Sequence, residues 1–488
     1  MDNLFKNHRK DALIVFLLLA FVFVYFYQWP GWNENSRFSL IHAIVEDGSF
    51  KIDNFYAKPG TNTWDVATFD GHYYSDKAIG PAIIGSIFYY PLFWMKQVTG
   101  WPDQPAAHRM ITFLVVGLTS AIAGSLMYLQ CLHISGSRFK AYLATLAITL
   151  GTLYLPYSQT FFSHQFTASL LFIVFFLIFY LRQSDSAAQK KGLMFLVGFL
   201  SGWALISEYP SALIILALII YYLSVIWNGH KHQRFISIVL PLLGGTIPVL
   251  IQMAYNKISF GSFFTIGYEK MALEVFSSGM SKGFMGIGWP SWKVMYYLTF
   301  HPGKGLFWES PFLLLLIPGA VQVFRSRRFR LEAGLALWII FTYIILISGY
   351  YMWWGGRAYG PRHIIPILPF FSIFLASLPK RLNWLLVGLS LVSILQMFIV
   401  AASSIIVPED WIKNIETAGF FDYTEIYHHS LVELLDGKFT FNLGAMYLHL
   451  PSWTSLVPVL LVITGLTTLF FCSARKPCTC DSCHPGIG

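Results

Sequence analysis

Apolar runs of about 17 to 22 residues recur from one end of this chain to the other, the length a helix needs to cross a hydrocarbon core of roughly 30 Å. Inside a bilayer every backbone polar group has to be satisfied within the segment or against protein, so a chain of such runs folds as a helical bundle. Composition points the same way. Of 488 residues, 56% are hydrophobic and only 12% charged, and mean hydropathy is +0.57. That is too little charge to cover a soluble surface of this size. The expected fold class is an all-α polytopic membrane protein, one transmembrane domain over residues 1–488.

The first run, Asp11 to Gln28, follows the basic leader NHRK, has no small-residue cleavage site and ends in QWPGW. It reads as a retained first helix rather than a signal peptide. The net charge of +9 is spread over short clusters between the runs: KNHRK (6–10), SRFK (137–140), QKK (189–191), HKHQR (230–234), RSRRFR (325–330), PKR (379–381) and SARK (473–476). This is the positive-inside pattern, which sets topology and argues against a nucleic-acid partner. With the amino terminus inside, spans are expected near 11–28, 110–131, 141–156, 166–181, 192–207, 211–227, 235–253, 306–324, 332–349, 364–378, 383–402 and 453–472. That makes about twelve, with both termini inside and every basic cluster on the inner face. The apolar stretch 79–97 would flip each later cluster if it spanned, and it carries Pro81 and Pro91. It is expected to be a broken or interfacial helix. The large outer loops are then 29–109, 254–305 and 403–452, and 473–488 is an inner tail.

The polar residues of interest gather at outer helix ends. In GWNENSRFSLIHAIVEDGSFKIDNF the apolar Phe38, Ile41, Ile44 and Val45 recur at helical spacing. They predict a short amphipathic helix lying along the membrane, with Glu34 at its start. There a carboxylate serves either as a cap, favoured by the helix dipole, or as a general base. In FDGHYYSDKAIGP (69–81), Asp76 and Lys77 stand on a Gly/Pro-shaped turn beside tyrosine hydroxyls. Lys77 is a snorkelling anchor or a point charge for a lipid phosphate. In YYMWWGGRAYGPRHIIP (350–366), Arg357 and Arg362 suit bidentate contact with phosphate oxygens, and the paired glycines allow close backbone approach. The alternative is a tryptophan belt with arginines reaching headgroups. His164 in SQTFFSHQF and Glu208 in ISEYP are further outer ionisable groups.

Of the five cysteines, Cys131 and Cys472 read as apolar filler near inner helix ends. The tail CTCDSCHPGIG holds the C-x-x-C-H spacing of haem attachment at Cys480–His484. Haem belongs on the opposite face from this tail. A metal site from Cys478, Cys480, Cys483 and His484 would suit zinc by ligand type, but it has no second pair elsewhere.

With the outer acid, the acid–lysine pair and the arginine turn in this order, the chain resembles the GT-C glycosyltransferases. The likeness is to bacterial members related to protein O-mannosyltransferases and the lipid A aminoarabinose transferase family. In those enzymes a motif like P-D-E-x-R-Y follows helix one, then an amphipathic juxtamembrane helix, then an acid-K-P-P motif. NENSRF (33–38) and SDKAIGP (75–81) stand in the same order here. The resemblance implies a sugar transferred from a polyprenyl-phosphate-linked donor to a glycan, lipid or protein acceptor, with inversion. The setting it implies is the outer, periplasmic face of a bacterial inner membrane. It implies catalytic roles for Glu34 and Asp76, and donor-phosphate contacts from Lys77, Arg362, Arg357 and Tyr74. Arg37, His164, Glu208 and His363 become possible substrate contacts. Glu replaces the family's Asp at position 34, and no Asp lies in 157–165, where His164 is nearest; a divalent cation therefore stays open. The competing readings are a transporter or flippase of lipid-linked sugars, which calls for ionisable groups midway along the spans, and an O-antigen ligase or polymerase, which places arginines in a late outer loop. Loop 403–452 has none.

Overall fold

The computed structural model describes residues 2–183, 190–227, 234–408 and 424–473. Along the chain these form α1 (Asp2–Tyr25), β1 (Phe26–Tyr27), α2 (Trp32–Glu46), β2 (Val66–Phe69), β3 (His72–Ser75) and α3 (Gly80–Thr99). There follow α4 (Gln104–Ser135), α5 (Arg138–Leu150), α6 (Ser163–Arg182), α7 (Lys191–Ser207), α8 (Tyr209–Trp227) and α9 (Arg234–Phe260). Besides several one- or two-turn helices, the remainder includes α10 (Glu274–Met280), α11 (Trp292–Thr299), α12 (Pro311–Ser326), α13 (Arg330–Ser348), α14 (Arg362–Ser377), α15 (Lys380–Ala402), β4 (Phe441–Asn442) and α16 (Ser452–Cys472). The Cys478–His484 motif lies outside the described residues, as do most of the 230–234 cluster and the centre of the third outer loop.

Every expected span contains helix, but 141–156 is cut short where α5 ends at Leu150, and 306–324 is interrupted at Ser310. Among the described residues, seven helices are long and apolar enough to cross a membrane: α4, α6, α8, α9, α13, α15 and α16. Helices α7, α12 and α14 are apolar but shorter. In α14, Pro366 and Pro369 remove backbone donors, and the first ten residues wind as a 3-10 helix before a six-residue α-helix. Helix α6 is buried along nearly its whole length and forms the centre of the bundle, whereas α16 and α9 present most of their surface outward. Helices α7 and α9 meet through small residues. A Cβ on Gly198 would lie 1.8 Å from the Pro241 carbonyl oxygen, and one on Gly244 would lie 2.2 Å from that of Phe195, the close backbone approach that membrane helices use.

Loops expected on one face contact one another. On the face expected to be outer, β1 pairs with β4, Ala67 bridges Met271, and Lys304 pairs with Glu425 at 2.7 Å. On the face expected to be inner, Arg138 bonds both Asp11 and Ser473.

Two expectations are corrected. The stretch 79–97 is one continuous helix, α3, not a broken one: Pro81 sits in its first turn, where no donor is lost, and the helix runs on through Pro91. It is 20 residues long but is not among the helices apolar enough to span. Helix α2 is not amphipathic with one greasy face. Every residue from Glu34 to Ala43 is buried, because its polar side chains find partners on all sides. Asn35 Nδ2 donates to the Asn62 carbonyl (2.9 Å), Ser39 Oγ to that of Thr61 (3.1 Å), and His42 Nε2 lies 2.9 Å from His108 Nε2.

Candidate active site

The first acid is set by a helix start. Glu34 is the third residue of α2, and its Oε2 accepts the amide of the N-cap residue Gly31 at 3.1 Å. That engages one oxygen. Its Oε1 is buried with no hydrogen-bond partner. Burial pushes the Glu34 carboxyl up to about 7, against the opposing pull of backbone amides and of the Arg362 and Arg37 charges.

The acid–lysine pair is set by a hairpin. Strands β2 and β3 are joined through Asp70 (φ 51°) and Gly71 (φ 77°), the Asp-Gly turn that matches strand twist. The hairpin delivers Ser75, Asp76 and Lys77 against α2, where Ser36 Oγ lies 2.8 Å from Ser75 Oγ and donates to Asp76 Oδ1 at 3.5 Å. Lys77 Nζ sits 2.9 Å from Asp65 Oδ2 and 3.1 Å from Asp76 Oδ2, all three groups buried. Burial raises the Asp76 carboxyl to about 6 despite the Lys77 charge. Burial alone would lower Lys77, but its two carboxylates outweigh it and hold the ammonium above its ordinary value. Two of its three donors are thereby used.

Arg37, one turn after Glu34, is a buried hub. Its Nη1 donates to the Asn33 carbonyl at 3.0 Å and to the Asn33 side chain, and its Nη2 to Ser163 Oγ at 3.1 Å. It lies within electrostatic reach of Tyr268, Glu208, Glu34 and Asp76. Ser163 in turn donates to Glu208 Oε2, which is 3.0 Å from His164 Nδ1. Burial would raise Glu208, yet His164 and the Ser163 hydroxyl bring it down to about 2.

Arg362 differs from these charges. Its guanidinium lies 4.6 Å over the Phe162 ring and is buried, yet it has no hydrogen bond or ion pair among the described residues, and its Nε is unpartnered. It is held by Gly355 (φ +82°), where a Cβ would come within 2.9 Å of Arg362 Cγ. The neighbouring His363 packs edge-on to His164, ring centroids 5.0 Å apart, with Nε2 buried and unpartnered.

Glu34, Arg37, Asp76, Lys77, His164, Glu208, Arg362 and His363 therefore form one connected neighbourhood. Two expected residues do not join it. Tyr74 points from the opposite face of β3 to Ser75, with its buried ring 5.4 Å from Phe260. Arg357 is exposed, and its Nε donates to the Val407 carbonyl at 3.2 Å, tying the arginine turn to the third outer loop. Conversely, Asp65, Ser163 and Tyr268 belong to the cluster, with the Tyr268 ring 5.8 Å from Lys77 Nζ. Among the described residues no group of three or more His, Cys, Asp or Glu side chains is arranged to hold a metal ion. Asp65 and Asp76 are taken up by Lys77 and Glu208 by His164, so this donor set does not fit a divalent cation.

No family model matches this chain, and no curated protein does. Among solved structures it is similar to ArnT from Cupriavidus metallidurans bound to undecaprenyl phosphate, with a TM-score of 0.49 and 15% identity over 95% of this chain and 74% of that one. It is also similar to the same protein in the apo state, with a TM-score of 0.47 and 14% identity over 94% of this chain and 74% of that one.

Proposed function

We propose that this chain is a glycosyltransferase that moves a sugar from a polyprenyl-phosphate-linked donor to a hydroxyl acceptor at the outer face of the membrane. One observation carries the reading. A buried guanidinium, Arg362, has no anionic partner among the described residues, and it lies within electrostatic reach of a buried carboxylate, Glu34, that has one free oxygen. An unpaired buried charge is costly enough that a counter-ion is expected when the site is at work. A phosphate beside Arg362 supplies that charge, and Glu34 is left to handle a proton.

In the proposed reaction the acceptor oxygen attacks the anomeric carbon as its proton passes to Glu34 Oε1. The bond from the anomeric carbon to the phosphate oxygen breaks, and the electron pair leaves with the polyprenyl phosphate. Arg362 and the remaining N–H of Lys77 stabilise the growing negative charge in a site that water does not screen. Direct displacement inverts the anomeric centre. Glu34 suits the base better than Asp76. Its carboxyl, at about 7, is poised near neutral pH, whereas Asp76 has its oxygens engaged by Lys77 and Ser36. Arg37 ties α2 to Ser163, and through Ser163 to Glu208, and does not itself need to touch substrate.

The test is transfer of radiolabelled sugar from a panel of polyprenyl-phosphate donors into membrane extracts, with intact protein, Glu34→Gln and Lys77→Ala, each checked for normal folding. The reading expects label to move only with the intact protein. Equal transfer by all three would make Glu34 a helix cap and Lys77 an anchor, and the reading would be wrong.

A further inference from the structure

The second outer loop carries a run of aromatic side chains that no described residue covers. Trp289 is 95% exposed, Trp292 84% and Phe284 76%. In an aqueous loop such residues would be buried or replaced by polar ones; a contiguous exposed apolar patch marks a contact surface. The pattern on α11 is specific. Trp292, Tyr296 and Phe300, spaced by four, are exposed on one face. The opposite face packs inward, Leu298 fully buried and Tyr297 stacked on Trp353 with centroids 5.4 Å apart. The outward face of this helix is its aromatic one, the reverse of a water-facing helix.

The height of this face is fixed by hydrogen bonds. The Gly288 amide donates to the Gly349 carbonyl at 2.8 Å, and Ile287 bridges Tyr350. Gly349 immediately follows the end of α13, one of the helices long and apolar enough to span. Trp289 therefore stands where a spanning helix leaves the hydrocarbon, and α11 packs against α13. The exposed Phe264 likewise lies just beyond Phe260, the end of α9. Lysines border the aromatics. Lys257 Nζ is 5.7 Å from the Phe263 ring, and Lys293 Nζ is 5.8 Å from that of Tyr297.

We infer that the face formed by Phe284, Trp289, Trp292, Tyr296 and Phe300 docks into the headgroup–acyl boundary of the surrounding bilayer, with Lys282 and Lys293 at the level of the lipid phosphates. Aromatic rings with a polar edge partition to that boundary, and flanking lysines complement the phosphates. This surface is independent of the proposed chemistry, although the same loop brings Tyr268 to Lys77.

The test uses the full chain in lipid nanodiscs whose acyl chains carry bromine near the headgroup. The difference in tryptophan emission between intact protein and Trp289→Phe/Trp292→Phe reports those two rings alone. Thermal midpoints confirm the fold, and the single variants serve if the double one is unstable. The expected result is loss of most of that difference emission in brominated lipid, with little effect of aqueous iodide. Quenching by iodide and not by bromine would put the face in water and overturn the inference. Protection from both quenchers would mean that protein covers it, from this chain or another copy, and would overturn it equally.

Discussion

The two ends of this molecule, one expected to be inner and the other outer, each bury a carboxylate near an arginine, and they treat the pair in opposite ways. At the inner end Asp11 is saturated. Arg138 Nε donates to its Oδ2 at 2.8 Å and Arg138 Nη2 to its Oδ1 at 2.5 Å, while Tyr128 OH and Ser473 Oγ add bonds at 3.1 and 3.4 Å. That forked pair joins α1, α5 and the end of α16, and leaves nothing for a ligand. At the other end Glu34 keeps one oxygen free and the Arg362 guanidinium makes no hydrogen bond or ion pair among the described residues. Both ends pay desolvation, but only the inner one recovers it within the protein. The difference separates a charge pair that fastens helices from charges held ready for a substrate.

The contrast breaks most directly at Glu34. Replacing it by Gln keeps the cap to Gly31 and removes the base, so kcat should fall by about 10² to 10⁴-fold with the thermal midpoint unchanged or raised. In the intact protein activity should fall as pH drops through about 7, the limb set by Glu34, and that limb should vanish in the variant. The stability sign is opposite. A carboxyl raised by folding contributes stability that is full below its unfolded value of 4.5 and is lost as pH rises through about 7. Denaturant midpoints measured from pH 4 to 8 should show Glu34→Gln flattening that decline.

The arginines sharpen the contrast next. Arg362→Gln should weaken donor binding by about 1.5 to 3 kcal/mol without lowering the thermal midpoint, since it removes a buried charge that has no protein partner. Arg138→Gln should do the reverse, costing about 3 kcal/mol of stability by stranding Asp11. Equilibrium unfolding and donor titration on both variants read the two effects. A smaller loss is expected from Gly355→Ala. A side chain at φ +82° costs about 1 to 2 kcal/mol, and its Cβ would push on Arg362 Cγ, so donor affinity should fall while kcat changes little. Arg357→Ala should stay within about 0.5 kcal/mol of intact protein in both assays, because that side chain is exposed and its bond to the Val407 carbonyl lies away from the cluster.

Much of this site was legible in the residues. Hydropathy put helix in every expected span, seven of them long and apolar enough to cross a membrane among the described residues. The crowding of ionisable groups at the expected outer helix ends singled out Glu34, Lys77, Arg362 and Glu208, which the fold brings into one neighbourhood. What the residues did not disclose was pairing at long range. Asp65 meets Lys77, and Ser163 links Arg37 to Glu208, only because α2, the hairpin and α6 converge; no local spacing encodes those contacts. Tyr74 stands apart from the cluster for a reason the chain does carry. FDGHYYS holds an Asp-Gly hairpin turn, and strand alternation then sends Tyr74 and Ser75 to opposite faces. Helix α2 misled because its serines and His42 are satisfied by partners elsewhere, which periodicity cannot register.

The most direct test of the central claim is binding of a polyprenyl phosphate, the leaving group of the proposed reaction, to the purified full chain. Intact protein, Arg362→Gln and Arg357→Gln would be titrated side by side, with matched thermal midpoints. The account predicts that Arg357→Gln binds like intact protein and that Arg362→Gln loses about ten- to a hundredfold in affinity. Equal binding by all three, or a larger loss at Arg357, would contradict it: the unpaired guanidinium would then not be the phosphate site.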